Sequence, residues 1–111
     1  MAEVVLGEID HGREINLVAG DWLTILLYEN LSTGYGWELA RIDARIGELV
    51  STRHLPGPPV IGGGGMREVT LKTFGAGAGT VCLRLRRAWD PPEVEADRFE
   101  IKVRISGAQP N

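Results

Sequence analysis

The chain has a single cysteine among its 111 residues, so no disulfide bond can form within it. It also lacks any apolar run approaching the roughly 18 residues that a membrane-spanning helix needs. Its net charge of −3 comes from interspersed acids and bases, so nothing indicates binding to nucleic acid or to a membrane. The acids Asp90, Glu93, Glu95 and Asp97 lack the spacing of a calcium loop. We therefore expect no metal ion and no cofactor, and a fold that rests on its hydrophobic core.

The residues that are present fit one globular domain. Hydrophobic residues make up 43% of the chain and charged residues 24%, and the length is enough for a single core. We expect one domain over residues 1–106 and a flexible tail over 107–111. The N-terminus has neither the basic nor the apolar region of a signal peptide. A cytoplasmic location is expected if Met1 is the native start, and a periplasmic or secreted one if a signal peptide has been removed.

Short strands separated by turn residues dominate the pattern. Apolar and polar residues alternate strictly over 98–105 and again over 67–74, which is typical of strands with one buried face. Further strands are predicted at residues 2–8, 13–18, 22–29, 35–40, 46–52 and 81–85. The segment 41–50 also fits a short helix, but we interpret it as a turn over 42–45 followed by a strand. About eight strands predict an all-β, immunoglobulin-like antiparallel β-sandwich without the disulfide of antibody domains.

The connections between these strands fall into two groups. If successive strands run antiparallel, every second connection emerges at the same end of the sandwich. Those after the second, fourth and sixth strands are short: 19–21, 42–45 and 75–78. Those after the third, fifth and seventh are longer or unusual: 30–34, 53–65 and 88–96. The unusual loops are therefore predicted to lie together, and loops held by a rigid scaffold commonly carry function.

The second and third of these loops have distinctive compositions. Four consecutive glycines at 62–65 follow a proline-rich stretch. They indicate either a flexible loop or a backbone that another molecule approaches so closely that any Cβ would collide. In the third loop, Trp89 lies just past a strand beside two prolines. It either folds back over a strand edge or is an exposed anchor for a partner. Trp22 and Trp37 lie within strand patterns and are predicted to be core residues.

Catalytic machinery is not evident in the sequence. Cys82 alternates with apolar residues and shares the polar face of its strand with Arg84. A nucleophilic thiol needs an imidazole partner, and His11 and His54 both lie in loop-like sequence. We therefore predict that the chain has no catalytic residue and is not an enzyme.

Taken together, the three loops resemble those of the chagasin family, which are protein inhibitors of papain-like cysteine peptidases. The family's first motif, Asn-Pro-Thr-Thr-Gly-Tyr/Phe-x-Trp, is matched by residues 30–37. Its Gly-x-Gly-Gly motif is matched within 62–65, and its Arg-Pro-Trp motif by 87–89. The order and the separations of the motifs agree over nearly the whole chain.

This resemblance implies a reversible, competitive, tight-binding inhibitor whose loop segments 30–37, 53–65 and 86–96 occlude the active-site cleft. The implied partner is a papain-like cysteine peptidase, the affinity is on the order of nanomolar, and the free chain is a monomer. Thr33 would lie over the catalytic Cys–His pair, the glycines along the non-primed subsites and Trp89 on the primed side. The implied peptidase-binding residues are Asn30, Leu31, Ser32, Thr33, Gly34, Tyr35, Gly62, Gly63, Gly64, Gly65, Arg87 and Trp89.

The chain departs from the family pattern at two positions, and one alternative function stays open. Leu31 and Ala88 replace family prolines, each worth about 0.4–1 kcal/mol of preorganisation. Together they predict roughly tenfold weaker binding unless neighbouring residues restrain the loops. The alternative is a binding or adhesion module that recognises a glycan or a protein through the same loops. Failure to inhibit papain-like enzymes would favour that alternative.

Overall fold

The computed structural model describes residues 2–60 and 62–107, which form eight strands and two short 3-10 helices. The strands are β1 (Glu3–Leu6), β2 (Glu14–Val18), β3 (Trp22–Glu29), β4 (Tyr35–Arg41), β5 (Gly47–Pro56), β6 (Gly65–Thr73), β7 (Gly77–Arg87) and β8 (Asp97–Ser106). The 3-10 helices are Glu8–Asp10 and Leu31–Thr33. Of the predicted tail, residues 108–111 lie outside the described residues, as does Ile61 of the second loop. The predicted all-β sandwich is confirmed.

Two four-stranded sheets, with strand orders β1-β3-β6-β5 and β2-β8-β7-β4, enclose the core. Alternate residues of the strands point inward, as the period-two pattern predicts, except in β5, where every residue after Gly47 is exposed or half-buried. The buried apolar residues are Leu6, Ile15, Leu17, Leu23, Ile25, Leu27, Trp37, Ile46, Val69, Leu71, Val81, Leu83, Phe99, Ile101, Val103 and Ile105. The prediction for Trp37 is confirmed, but the one for Trp22 is wrong. Trp22 is half-buried on the outer face, where the Lys72 ammonium lies 5.4 Å from the centre of its ring.

The pairing is antiparallel for four strand pairs among the described residues and parallel for two. The parallel pairs are β1 with β3 and β2 with β8, so the sheets are mixed and the wholly antiparallel arrangement is wrong. Each antiparallel pair joins an odd-numbered strand to an even-numbered one. Each parallel pair joins two odd-numbered or two even-numbered strands. Strand direction therefore still alternates along the chain. The prediction that every second connection shares one end depends only on this alternation.

Several strand boundaries differ from the sequence prediction. β5 continues to Pro56, so four residues assigned to the second loop belong to a strand. Within residues 41–50, Arg41 ends β4, residues 42–46 form a turn and Gly47 starts β5, so the helical alternative is not realised. We call residues 30–34 loop 1, residues 57–64 loop 2 and residues 88–96 loop 3. Loop 1 connects the two sheets, loop 2 joins β5 to β6, and loop 3 joins β7 to β8.

Candidate binding site at one end of the sandwich

Loop 1 is a closed turn held by its own hydrogen bonds. Asn30 caps the 3-10 helix, because its Oδ1 accepts from the backbone N–H of Ser32 at 3.1 Å and from its hydroxyl at 2.6 Å. The Thr33 hydroxyl donates to the Asn30 carbonyl oxygen at 2.6 Å. Gly34 ends the turn with φ +84°, a conformation that favours glycine. Leu31, Ser32 and Thr33 are exposed on this turn.

Both other loops contact loop 1. The Asn30 side-chain amide donates to the Gly62 carbonyl oxygen of loop 2 at 2.8 Å. On the other side, the Trp89 ring of loop 3 lies against Gly34 so closely that a Cβ at Gly34 would collide with it. A groove between loops 1 and 2 is lined by Leu31, His54 and the prolines of loop 2. The segments carrying the three sequence motifs therefore meet at one end of the molecule.

Trp89 is exposed, as expected for an anchor rather than for a ring folded over a strand edge. It has 69% of its surface accessible. The Arg87 guanidinium lies between two rings, 5.0 Å from the centre of Tyr35 and 5.6 Å from that of Trp89. The same guanidinium forms an ion pair with Asp90 at 2.9 Å, and this hydrogen bond, outweighing the effect of burial, raises the pKa of Arg87. Arg87 at the end of β7 and Trp89 of loop 3 thus present a cationic and aromatic surface beside loop 1.

Half of the glycine run is explained by contacts within the chain. At Gly64 a Cβ would collide with the Tyr28 ring, and at Gly65 it would collide with the Leu55 carbonyl oxygen and His54. Gly65 is buried at the start of β6, directly after loop 2. It is therefore not available to a partner. Gly62 has open space around it and a φ of +73°. The steric requirement expected from another molecule is therefore an internal one at Gly64 and Gly65.

A buried carboxylate at the base of the loops went unrecognised in the sequence. The Glu29 side chain has no accessible surface, and both of its oxygens accept hydrogen bonds. The donors are the Trp37 backbone N–H at 2.9 Å, His54 Nδ1–H at 2.6 Å, and Arg67 through Nη2 at 2.9 Å and Nε at 3.2 Å. Burial by itself raises the pKa of Glu29, but these hydrogen bonds and the Arg67 charge outweigh it, so the pKa is lowered. Glu29 is therefore a charged group inside the fold.

The other candidate chemical groups lie away from this end or are shielded. Cys82 is buried on the outer face of its sheet, where Arg98 Nη1 covers its sulfur at 3.3 Å, and burial raises the pKa of the thiol. A buried neutral thiol is a poor nucleophile. Within residues 2–60 and 62–107, no group of His, Cys, Asp and Glu could hold a metal ion. No helix in the same part of the chain is long and apolar enough to cross a membrane.

An all-β sandwich that presents three contacting, largely exposed loops at one end defines a loop-based binding protein. The chain belongs to the chagasin family: the sequence profile of the chagasin family peptidase inhibitors (I42) matches residues 16–103. The resemblance drawn from the loop motifs is therefore confirmed. The prediction that the chain is not an enzyme is confirmed as well, because the family consists of peptidase inhibitors and EhICP2, described below, is a cysteine protease inhibitor.

Three proteins are similar to this chain over most of its length. Amoebiasin-1 from Entamoeba histolytica is 28% identical over 102 residues, which cover 90% of this chain and 97% of amoebiasin-1. The crystal structure of EhICP2, a cysteine protease inhibitor from the same organism, superposes with a TM-score of 0.84 at 25% identity, covering 95% of this chain and 96% of EhICP2. The structure of PbICP-C in complex with falcipain-2 has a TM-score of 0.66 at 15% identity, covering 97% and 100%. At that identity the last likeness shows the fold alone.

Proposed function

We propose that this chain inhibits papain-like cysteine peptidases reversibly and competitively, with loops 1, 2 and 3 filling the active-site cleft. The observation that carries the proposal is the meeting of the three motif-bearing loops at one end, with Asn30 bonded to Gly62 and Gly34 against Trp89. Membership of a peptidase-inhibitor family and the likeness to a cysteine protease inhibitor support the class of target. The partner is one peptidase molecule, and the free inhibitor is a monomer.

In this proposal loop 1 enters the centre of the cleft and Thr33 lies nearest the catalytic thiol. The closed backbone of loop 1 supports inhibition without cleavage. Its carbonyl groups at Asn30 and Leu31 accept backbone hydrogen bonds from Thr33 and Gly34 within the turn. A closed turn is a poor substrate, because a peptidase cleft binds its substrates in an extended conformation. No covalent bond to the inhibitor is then needed.

Loops 2 and 3 extend the contact on either side. Gly62 and Gly63 are exposed and can offer main-chain groups to the non-primed side. Trp89 and Arg87 supply two of the three residue types that dominate interface hot spots, and they face the primed side in this proposal. An interface of standard protease–inhibitor size gives an affinity on the order of nanomolar.

The internal bonds of loops 1 and 3 replace part of the restraint that the family prolines provide. The Asn30 cap fixes the turn that carries Leu31. Beside Ala88, Arg87 bonds Asp90, and the Arg86 guanidinium donates to the Asp90 carbonyl oxygen at 2.7 Å. We therefore expect the penalty from the missing prolines to fall below the tenfold estimated from sequence.

The substitution Thr33→Glu tests the placement of loop 1. A bulky charge at the catalytic thiol should abolish inhibition of papain, measured as the inhibition constant under steady-state conditions. Thr33→Ser keeps the hydroxyl that bonds the Asn30 carbonyl, so it should inhibit nearly as well as the parent. If Thr33→Glu and the parent give the same inhibition constant, loop 1 does not occupy the cleft.

A further inference from the structure

Loops 1 and 2 leave and re-enter the sandwich beside the same carboxylate. Loop 1 starts directly after Glu29, the last residue of β3, and returns in β4, where Trp37 donates its backbone N–H to Glu29 Oε1. Loop 2 starts after β5, which carries His54, and returns in β6, which carries Arg67. Both side chains donate to Glu29. One carboxylate thus connects all four strands that support the two loops.

The bond to Trp37 also joins the two sheets. β3, β5 and β6 lie in one sheet, whereas β4 is the edge strand of the other. Trp37 makes a second bond across the same gap, because its indole Nε1–H donates to the Tyr28 carbonyl oxygen at 2.8 Å. The position of loop 1 relative to loop 2 therefore depends on this buried cluster as well as on the Asn30–Gly62 bond and the β-ladder hydrogen bonds.

Burying a charged carboxylate at this position costs free energy, because the group loses its hydration. Burying a carboxylate requires every lone pair to find a donor, and well-packed apolar residues often serve stability equally well or better. The cluster adds directional hydrogen bonds, because four donors from three strands converge on the two carboxylate oxygens. Such directed bonds fix geometry in a way that apolar packing at the same place does not.

We propose that Glu29 is a positioning residue, which holds loop 1 at a fixed distance and angle from loop 2 through Trp37, His54 and Arg67. The inference rests on the proposed function, because it concerns the loops that would enter the peptidase. Glu29 is buried, so it acts on the target only through these partners. Without the carboxylate the loops keep their sequence and their exposed groups, but binding has to order them, and that ordering lowers affinity.

Asp21 at the other end of β3 provides a matched control. It is also a buried carboxylate, and its oxygens accept the backbone N–H groups of Ala2 and Val18, both at 2.9 Å. Glu29→Gln and Asp21→Asn make the same chemical change at opposite ends of one strand. Both should lower the urea midpoint of unfolding, because each leaves buried donors poorly satisfied. Only Glu29→Gln should raise the inhibition constant for papain, by about tenfold or more.

Hydrogen exchange on the free protein tests the same inference without a peptidase. In Glu29→Gln, the backbone amides of residues 32–35 and 62–64 should exchange several times faster relative to those of β7 and β8. In Asp21→Asn they should not. The milder variant His54→Leu removes one donor only, and it should loosen 62–64 with little effect on 32–35. If Glu29→Gln does not fold, hydrogen exchange in His54→Leu still tests the positioning role.

Three results would overturn the positioning role. One is an unchanged inhibition constant in folded Glu29→Gln, and another is an equal rise in both carboxylate variants, which would mark a stability effect only. The third is unchanged exchange in loops 1 and 2 of Glu29→Gln. If instead the parent protein fails to inhibit papain-like enzymes, the proposed function is wrong, and the exchange measurement alone decides whether Glu29 positions the loops.

Discussion

Trp89 presents an exposed indole beside loop 1, with the Arg87 guanidinium 5.6 Å from the ring centre. Aromatic and arginine side chains of this kind dominate binding energy at interfaces. We expect Trp89→Ala to cost about 2 kcal/mol of affinity, which corresponds to a roughly thirtyfold higher inhibition constant for papain. The constant is measured from the dependence of steady-state rates on inhibitor concentration.

Phe74 gives a control for this prediction. It is also an exposed aromatic residue, but it follows β6 at the end away from the three loops. Phe74→Ala should leave the inhibition constant unchanged. Equal inhibition by Trp89→Ala and the parent would show that Trp89 is not an anchor.

Single residues differ in how well their burial and contacts can be predicted from the neighbouring sequence. The exposure of Trp89 was predictable, because a tryptophan beside two prolines has no strand to pack on. Glu29 was not, since a glutamate at the end of a strand is typical of a solvated position. Its donors come from positions 37, 54 and 67, which no local pattern connects. Cys82 alternates like a surface residue but is buried, and the Arg98 guanidinium lies against its sulfur.

At the scale of one element, the backbone of loop 1 is compatible with the proline that the family carries at position 31. Leu31 is the first residue of the 3-10 helix, a position where proline is favoured. Asn30 before it has φ −122° and ψ 98°, an extended conformation about 20° in ψ from the range favoured before proline. Leu31→Pro should therefore stiffen the free loop and lower the inhibition constant for papain two- to fivefold, corresponding to about 0.4–1 kcal/mol.

A substitution to proline in loop 2 should have the opposite effect on the inhibition constant. The backbone N–H of Val60 donates to the Pro58 carbonyl oxygen at 2.7 Å, and a proline at position 60 would remove this bond. Val60→Pro should therefore raise the inhibition constant. If Leu31→Pro weakens inhibition as strongly as Val60→Pro, loop 1 does not bind in the conformation of the free protein.

Elements with strict alternation were the most predictable. β6 and β8 differ from their predicted ranges by only one or two residues at either end, because each buries one regular apolar face. The end of β5 was missed, since His54 and Pro56 resemble loop residues, although both pair with β6. The 3-10 helix in loop 1 depends on side-chain caps, which turn-prone composition alone does not specify.

At the scale of the whole molecule, buried and bonded carboxylates couple stability to pH. The pKa of Asp10 is lowered chiefly by its bond from the Gly7 N–H, and that of Asp21 by the Val18 N–H. The pKa of Glu29 is lowered despite burial, and Arg45 lowers that of Asp43 to about 2. A carboxyl group with a lowered folded-state pKa contributes stability above its unfolded value of about 4, and this is lost as the pH falls through the folded value.

The free energy of unfolding should therefore be nearly constant from pH 7 to about pH 5 and should fall steadily between about pH 4 and pH 2. Urea titrations at a series of pH values measure it. Asp21→Asn should be less stable at pH 7 and show a shallower loss in acid, because one of the titrating groups is gone. A stability that rises on acidification from pH 5 to pH 3 would contradict this interpretation.

The arrangement of the sheets shows what the sequence leaves undetermined at this scale. The chain length, the apolar periodicity and the turn residues were enough to predict a sandwich with its unusual loops at one end. They do not say which strands are neighbours, because pairing is decided between segments far apart in sequence. β1 and β2 are edge strands whose partners, β3 and β8, run in the same direction.

Titration of papain with the purified protein tests the central claim most directly, since it asks whether the three-loop end closes a peptidase cleft. Activity should fall linearly to zero at one inhibitor molecule per active site. It should recover on dilution, and the apparent inhibition constant should rise linearly with substrate concentration, as competition requires. Full activity of papain and of several cathepsin-like enzymes at a tenfold molar excess of the protein would contradict the claim.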